Sequence, residues 1–182
     1  MIQIFMDDVY SIRTFRLDDK DRLLAQANNS RVSAYLLDAF PFPYTEQDAD
    51  AWLAIAIDQS PKTLFVITEN DQLIGGTAFY PKNDVYHLSA EIGYWLGETY
   101  WGKGIASKTV HTLVNYIFTN THLIRLFAGV FSNNPASARV LEKNGFVREG
   151  YLRKSIIKRN EILDEVRYGL LRQDWMDAFE KA

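Results

Sequence analysis

Apolar residues recur along this chain with two different periods, and the switching between them predicts a mixture of strands and helices. From Tyr10 to Leu17, Tyr10, Ile12 and Thr14 alternate with Ser11 and Arg13 until Phe15 shifts the phase, which predicts a first strand, and a short helix follows from Asp19. Thr45-Glu46-Gln47-Asp48 has the form of a capping box, and it opens a helix carrying Ala49, Trp52, Leu53, Ala56 and Ile57 at helical spacing. Leu64 to Thr68, the turn Asn70-Asp71 and Leu73 to Phe79 predict a hairpin, and Leu88 to Leu96 adds a further strand. These strands are short and closely spaced, so their pairing is expected to be antiparallel.

The second half changes character. Val110, Leu113, Val114, Ile117 and Phe118 form one helical stripe, and Ile124 to Phe131 then reads as a strand, which together make a β–α–β crossover. Asn134-Pro135 supplies an N-cap residue followed by proline at the first helical position, and Gly145 stands where a helix ends in a left-handed residue. Phe146 to Arg153 and Ile162 to Leu171 finish the chain as strands. The expected fold is α+β, a mixed central β-sheet with helices on both faces, antiparallel at first and parallel at the one crossover. No repeat, low-complexity tract or Gly/Ser linker interrupts the pattern, so residues 1–182 are read as a single domain.

Composition narrows the function more than the fold. Nearly half of the 182 residues are apolar and the chain holds 4 Trp, 10 Tyr and 11 Phe, enough to bury a core that offsets ordering entropy. A formal net charge of −3 without any Lys/Arg run gives no footprint for a nucleic-acid backbone. The first eight residues lack a basic n-region and meet Asp7 and Asp8 early, and the uncharged stretch Thr109 to Ile124 contains Thr, Asn and His, so neither a signal peptide nor a membrane span is expected and the cytoplasm is the default compartment. The chain has no cysteine, which removes disulfides, thiolate metal sites and cysteine nucleophiles together. His87, His111 and His122 do not fall at metal-ligand spacing, so no metal is expected.

Chemistry concentrates where the strand from Glu91 runs through Gly97 and Trp101-Gly102-Lys103-Gly104-Ile105-Ala106-Ser107 into a helix. Small residues at a helix start let backbone N–H groups approach an anion that also meets the positive end of the helix dipole, so a phosphate-bearing ligand is implied. The two glycines could equally serve a tight turn alone. A Walker A loop fails because Lys103 is followed by Gly104, and a dinucleotide fingerprint fails because Ser107 stands where Gly or Ala is needed.

The segment instead resembles the acetyl-CoA loop of the GNAT (Gcn5-related) N-acetyltransferase superfamily, Gln/Arg-x-x-Gly-x-Gly/Ala, with Gly104 and Ala106 at the small positions. Trp101 stands in place of the usual Gln or Arg, and Tyr-Trp-Gly-Lys-Gly-Ile-Ala is similar to the variant in the RimJ/RimL-like branch, which acetylates ribosomal-protein N-termini. A second segment, Asn133-Asn134-Pro135-Ala136-Ser137 through Glu142-Lys143-Asn144-Gly145-Phe146, resembles the superfamily's later helix motif nearly place for place. The resemblance implies acetyl-CoA as cosubstrate, with its pyrophosphate on the backbone of Trp101 to Ser107. It implies that the pantetheine arm lies along the backbone of Trp95, Leu96 and Gly97, and that Asn134 contacts the cofactor in addition to capping its helix.

With no cysteine present, the simplest chemistry is direct attack of an amine on the thioester in a ternary complex. Glu91 matches the general-base Glu of some GNAT enzymes, and a carboxylate on a mostly buried strand suits that task through desolvation; a structural ion pair is the alternative. Ser137 is the candidate proton donor to the leaving thiolate, since Leu141 occupies the place of the Tyr used by many relatives; an ordinary residue of the first helical turn is the alternative. The stretch Arg153-Lys154-Ser155-Ile156 lacks the Glu that the branch can carry after its Gly-Phe strand. The expected partners are acetyl-CoA and an amine acceptor, either a protein N-terminus or a small molecule, and a homodimer stays open. A non-catalytic acyl-CoA-binding module on the same fold is the competing function.

Overall fold

The computed structural model of the chain describes residues 2–179. Among them run β1 (Gln3–Phe5), β2 (Tyr10–Arg13), α1 (Lys20–Ala27), α2 (Ser30–Ser33), α3 (Glu46–Asp58), β3 (Leu64–Glu69), β4 (Gln72–Pro81), β5 (Ser89–Leu96), α4 (Ile105–Asn120), β6 (Arg125–Phe131), α5 (Pro135–Lys143), β7 (Val147–Lys158), β8 (Glu161–Leu171) and α6 (Arg172–Phe179). The strands form one eight-stranded sheet in the order β1-β2-β3-β4-β5-β6-β8-β7. Pairing is antiparallel for β1–β2, β2–β3, β3–β4, β6–β8 and β7–β8, and parallel for β5–β6, the crossover that the sequence predicts through α4.

The chain divides into two compact units. One reaches to Ala78 and resumes over Tyr94–Thr109; the other takes Phe79–Gly93 and the chain from Val110 onward. In the first unit, α1 and α3 lay Leu23, Ala27, Ala49, Leu53 and Ala56 on Leu64 and Val66 of β3, joined by Phe15 and Tyr44. The residues of β3 that point the other way, Phe65 and Ile67, are also fully buried, so both faces of the sheet are covered there. Thr45 caps α3 as its capping box predicts, accepting from the Asp48 N–H while the Asp48 carboxylate accepts from the Thr45 N–H.

In the second unit, alternate residues of β6 and β8, namely Leu126, Ala128, Val130, Tyr168 and Leu170, are buried, as is the α4 stripe Val110, Leu113, Val114, Ile117 and Phe118. The Tyr168 hydroxyl donates to Glu142 of α5 at 2.9 Å. At the start of α6, the guanidinium of Arg172 donates to the carbonyl of Phe118 in the last turn of α4 and to those of Thr121 and Leu123 in the turn that follows, which satisfies one of the orphan carbonyls of that helix. Among the described residues no helix is long and apolar enough to cross a membrane.

Several elements depart from the sequence expectation. The first strand stops at Arg13 rather than Leu17, because the Arg13 guanidinium turns into a buried pair with Asp19 at 2.7 Å and the chain bends there into a helical turn over Leu17–Asp19. Strand β1, α2 and α6 carry no periodic signal long enough to read. Strand β7 continues five residues past Arg153.

Candidate active site

The loop that follows β5 belongs to the first unit. Gly97 closes the strand by donating its N–H to Ile74 O on β4 at 2.9 Å. A helical turn over Glu98–Tyr100 leads to Trp101, whose indole N–H donates back to the carbonyl of Leu96 at 2.8 Å. The Trp101 ring lies near Tyr35 and under the guanidinium of Arg31, at 6.4 Å and 5.9 Å between centres. Arg31 and Asn29 both bind Glu98, at 2.6 Å and 2.9 Å. The loop is therefore pinned at its start by a main-chain acceptor, an aromatic contact and a charge pair, all within a few residues of the glycines.

Gly102 and Gly104 adopt φ values of +74° and +78°, the left-handed region that favours glycine, and a Cβ built at either meets no atom within 4 Å. Glycine is thus required by the backbone angle and not by crowding from the protein. Gly102, Lys103 and Gly104 are exposed, Ile105 is buried as the anchor of α4, and Ala106 and Ser107 lie between. The Lys103 ammonium sits over the Tyr100 ring at 5.4 Å. The open space, the left-handed pair and the N-terminus of the 16-residue α4 form a cradle of the kind that accepts phosphate oxygens.

The backbone of Trp95, Leu96 and Gly97 is only in part available for the expected strand-like pairing. The Leu96 carbonyl already accepts the Trp101 indole and the Gly97 N–H is spent on Ile74, while the Trp95 side chain packs edge-on to Phe40 at 5.2 Å. The Trp101–Leu96 bond is a feature that sequence reasoning missed; the only signal for it is the replacement of a Gln or Arg donor by another side chain with an N–H.

Glu91, Asn134 and Ser137 lie in the second unit. Asn134 caps α5, its side-chain oxygen accepting from the Ser137 N–H at 3.2 Å, with Pro135 at the first helical position. Gly145 ends the helix region with φ of +81°. Ser137 is half-buried in the first turn. Glu91 is not the desolvated carboxylate that its strand position suggested: its side chain is 36% exposed and ion-paired with Lys82, itself 37% exposed, at 2.7 Å. The Lys82 ammonium also lies 5.3 Å from the Phe127 ring centre, and the Glu91 charge adds to burial in pushing the Tyr80 hydroxyl above its usual range. Among the described residues no group of three or more His, Cys, Asp or Glu could hold a metal ion.

Comparison with known proteins adds to this geometry. The family model described as Acetyltransferase (GNAT) domain matches residues 11–147. The chain is 31% identical to the uncharacterized N-acetyltransferase p20 of Bacillus licheniformis over 91% of this chain and 94% of that protein. It is 34% identical to the ribosomal-protein-serine acetyltransferase of Escherichia coli over 57% of this chain and 56% of that one. The solved structure of RimL, a ribosomal L7/L12 alpha-N-protein acetyltransferase in complex with coenzyme A, superposes with a TM-score of 0.83 at 19% identity, covering 93% of this chain and 98% of that one.

Proposed function

Since the chain belongs to the GNAT acetyltransferase family, we propose that it falls in the RimJ/RimL-like branch and moves an acetyl group from acetyl-CoA to a primary amine, with the N-terminal amine of a peptide or protein as the first class of acceptor and small amines as the second. The observation that carries the reading is the loop from Trp101 to Ile105, where two left-handed glycines open directly onto the N-terminus of α4. The name of the Escherichia coli relative, a ribosomal-protein-serine acetyltransferase, supports a protein as the acceptor.

In this reading the N–H groups of Gly102 to Ser107 bind the pyrophosphate, and the helix dipole adds to their attraction. Glu91 takes a proton from the ammonium form of the acceptor, directly or through water, so that the neutral nitrogen attacks the thioester carbonyl carbon. The C–S bond breaks as the carbonyl re-forms, Ser137 gives its proton to the departing thiolate, and the proton that the nitrogen sheds on becoming an amide replaces it by way of solvent. The roles of Glu91, Ser137 and Asn134 rest on their motif positions. Lys82 donates to one oxygen of Glu91, which leaves the second oxygen as the one to receive a proton.

The test is a pair of measurements on the full chain. Acetyl-CoA at about 100 times its Kd is expected to raise the unfolding free energy by about 2.7 kcal/mol by mass action, and thiol release is expected with at least one member of a panel of peptides, polyamines and amino sugars. Absence of any shift in Tm would refute the reading outright. A shift without thiol release from any acceptor would transfer the chain to the non-catalytic acyl-CoA binders.

A further inference from the structure

We propose, resting on the acetyltransferase reading, that a two-residue bulge in β7 recognises the acceptor, and that the acceptor is a peptide chain carrying carboxylates near its N-terminus. Strands β7 and β8 pair from Val147↔Gly169 to Lys158↔Glu161, but the register slips between Leu152↔Glu165 and Ile156↔Leu163. Arg153, Lys154 and Ser155 therefore face Asp164 alone. Lys154 has φ of +53°, a left-handed conformation that a residue with a side chain adopts at a cost. Bulges of this kind re-aim side chains, and here all three residues are exposed.

The bulge is held by one carboxylate. Asp164 accepts the Lys154 N–H at 2.6 Å with one oxygen and the Tyr151 hydroxyl with the other. Its backbone is clamped in turn, since the Ser132 N–H donates to Asp164 O at 2.9 Å and the Asp164 N–H donates to Ser132 Oγ at 3.2 Å. Ser132 stands two residues before Asn134, whose side chain holds the Ser137 N–H. The bulge is thus hydrogen-bonded to the residue that opens the turn carrying Asn134 and the candidate proton donor Ser137.

The charge on this surface selects the ligand. In a chain of net charge −3, Arg148, Arg153 and Lys154 are exposed together, with the Arg148 guanidinium over the Tyr151 ring at 5.2 Å. Of the carboxylates nearby, Glu149 forms a two-pronged pair with Arg125, Glu165 pairs with Arg167, and the single charge of Asp164 inside the bulge is outnumbered by the three cations. Surplus positive charge repels a polyamine and attracts carboxylates. An acceptor that brings an amine to Ser137 and carboxylates to the bulge must carry the two on different residues, which is a property of a peptide. Exposed Tyr151 and Leu152 give such a chain apolar contact, and β7 ends the sheet order, so one of its edges faces no other strand of the sheet.

The experiment uses the full chain with saturating CoA and three peptides labelled at the C-terminus, identical at the first residue and followed by acidic, neutral or basic residues. Fluorescence anisotropy is expected to show the acidic peptide binding about tenfold tighter than the basic one, with the gap closing at about 0.5 M salt. The double variant R153E/K154E is expected to reverse the order. Lys154→Gly, which suits the left-handed backbone, is expected to keep the fold and reduce the gap, and so guards against a variant that fails to fold. Equal affinities in the wild type, or an order that survives charge reversal, would overturn the proposal. Loss of acetyl-CoA affinity in the double variant would also overturn it, by assigning these cations to the phosphates of acetyl-CoA. A wild-type protein that fails to bind acetyl-CoA refutes the acetyltransferase reading instead, and the peptide ranking is then read on its own.

Discussion

The indole N–H of Trp101 donates to the main-chain carbonyl of Leu96 across 2.8 Å, which locks the start of the glycine loop onto the last residue of β5. Trp101→Phe keeps the ring beside Tyr35 and removes only the donor. A net loss of about 1 kcal/mol is typical of such a bond, so acetyl-CoA affinity is expected to fall about fivefold by calorimetry. Trp101→Gln, which restores an N–H, is expected to recover part of the loss. If Phe binds acetyl-CoA as well as Trp, the bond does not order the loop.

Gly104 separates backbone demand from ligand space. Its φ of +78° disfavours any side chain, while a Cβ there meets no atom of the protein. Gly104→Ala is expected to lower stability by about 1 kcal/mol from the backbone angle alone. Gly104→Val is expected to weaken acetyl-CoA binding by about tenfold or more, because the branched side chain would stand where the phosphate approaches. Chemical denaturation and a binding titration on both variants distinguish the two effects; unchanged affinity in the Val variant would place the phosphates elsewhere.

The roles of Glu91 and Ser137 differ in their pH signatures. Glu91→Gln is expected to cut turnover by about 10²–10⁴-fold at pH values below the acceptor's own pKa, where a base is needed, and the deficit should shrink as alkali deprotonates the amine without help. Ser137→Ala is expected to lower kcat with little change in acetyl-CoA affinity, since its work falls in the transition state. Full pH–rate profiles decide the matter: two variants with wild-type turnover throughout would leave catalysis to positioning and backbone polarisation.

Much of this was legible in the chain and some was not, for local reasons. The caps at Thr45 and Asn134, the Asn70-Asp71 turn and the parallel crossover through α4 were readable because each is written in a few adjacent residues or one unbroken periodic stripe. The Lys82 partner of Glu91 was not, because nothing in a sequence shows that a residue just past the end of β4 meets one nine places on in β5. The far half of β7 was not either: Arg153 to Lys158 is exposed apart from Ile156 and Lys158, so no alternation marks it, and Asp164 supplies the order from the neighbouring strand.

Acid should reach the loop helix through its first turn. Lys108, just inside α4, binds Asp7 of the β1–β2 turn and, with the Tyr10 and Val9 N–H groups, lowers the Asp7 carboxyl from 3.8 to about 2. A lowered folded-state pKa means that the ionised group stabilises the fold above 3.8 and that this contribution is lost as the pH falls toward about 2. Asp7→Asn is therefore expected to flatten the decline of the urea midpoint across that window, with the two proteins converging at its acid end. Parallel declines would show that the pair contributes nothing measurable.

Asn134 carries a constraint that its role as a cap conceals. Its amide has one oxygen and one NH₂ group, and the oxygen is committed to the Ser137 N–H. The NH₂ group is the side chain's donor, so a group that meets that end must bring lone pairs, as a carbonyl or a phosphate oxygen does. Aspartate would cap the helix equally well and yet turn that remaining group into a second taker, closed to the same ligand. The Ser137 N–H thus decides which end of the amide faces the helix, and the polarity of the helix start is passed, through a single side chain, to its opposite end.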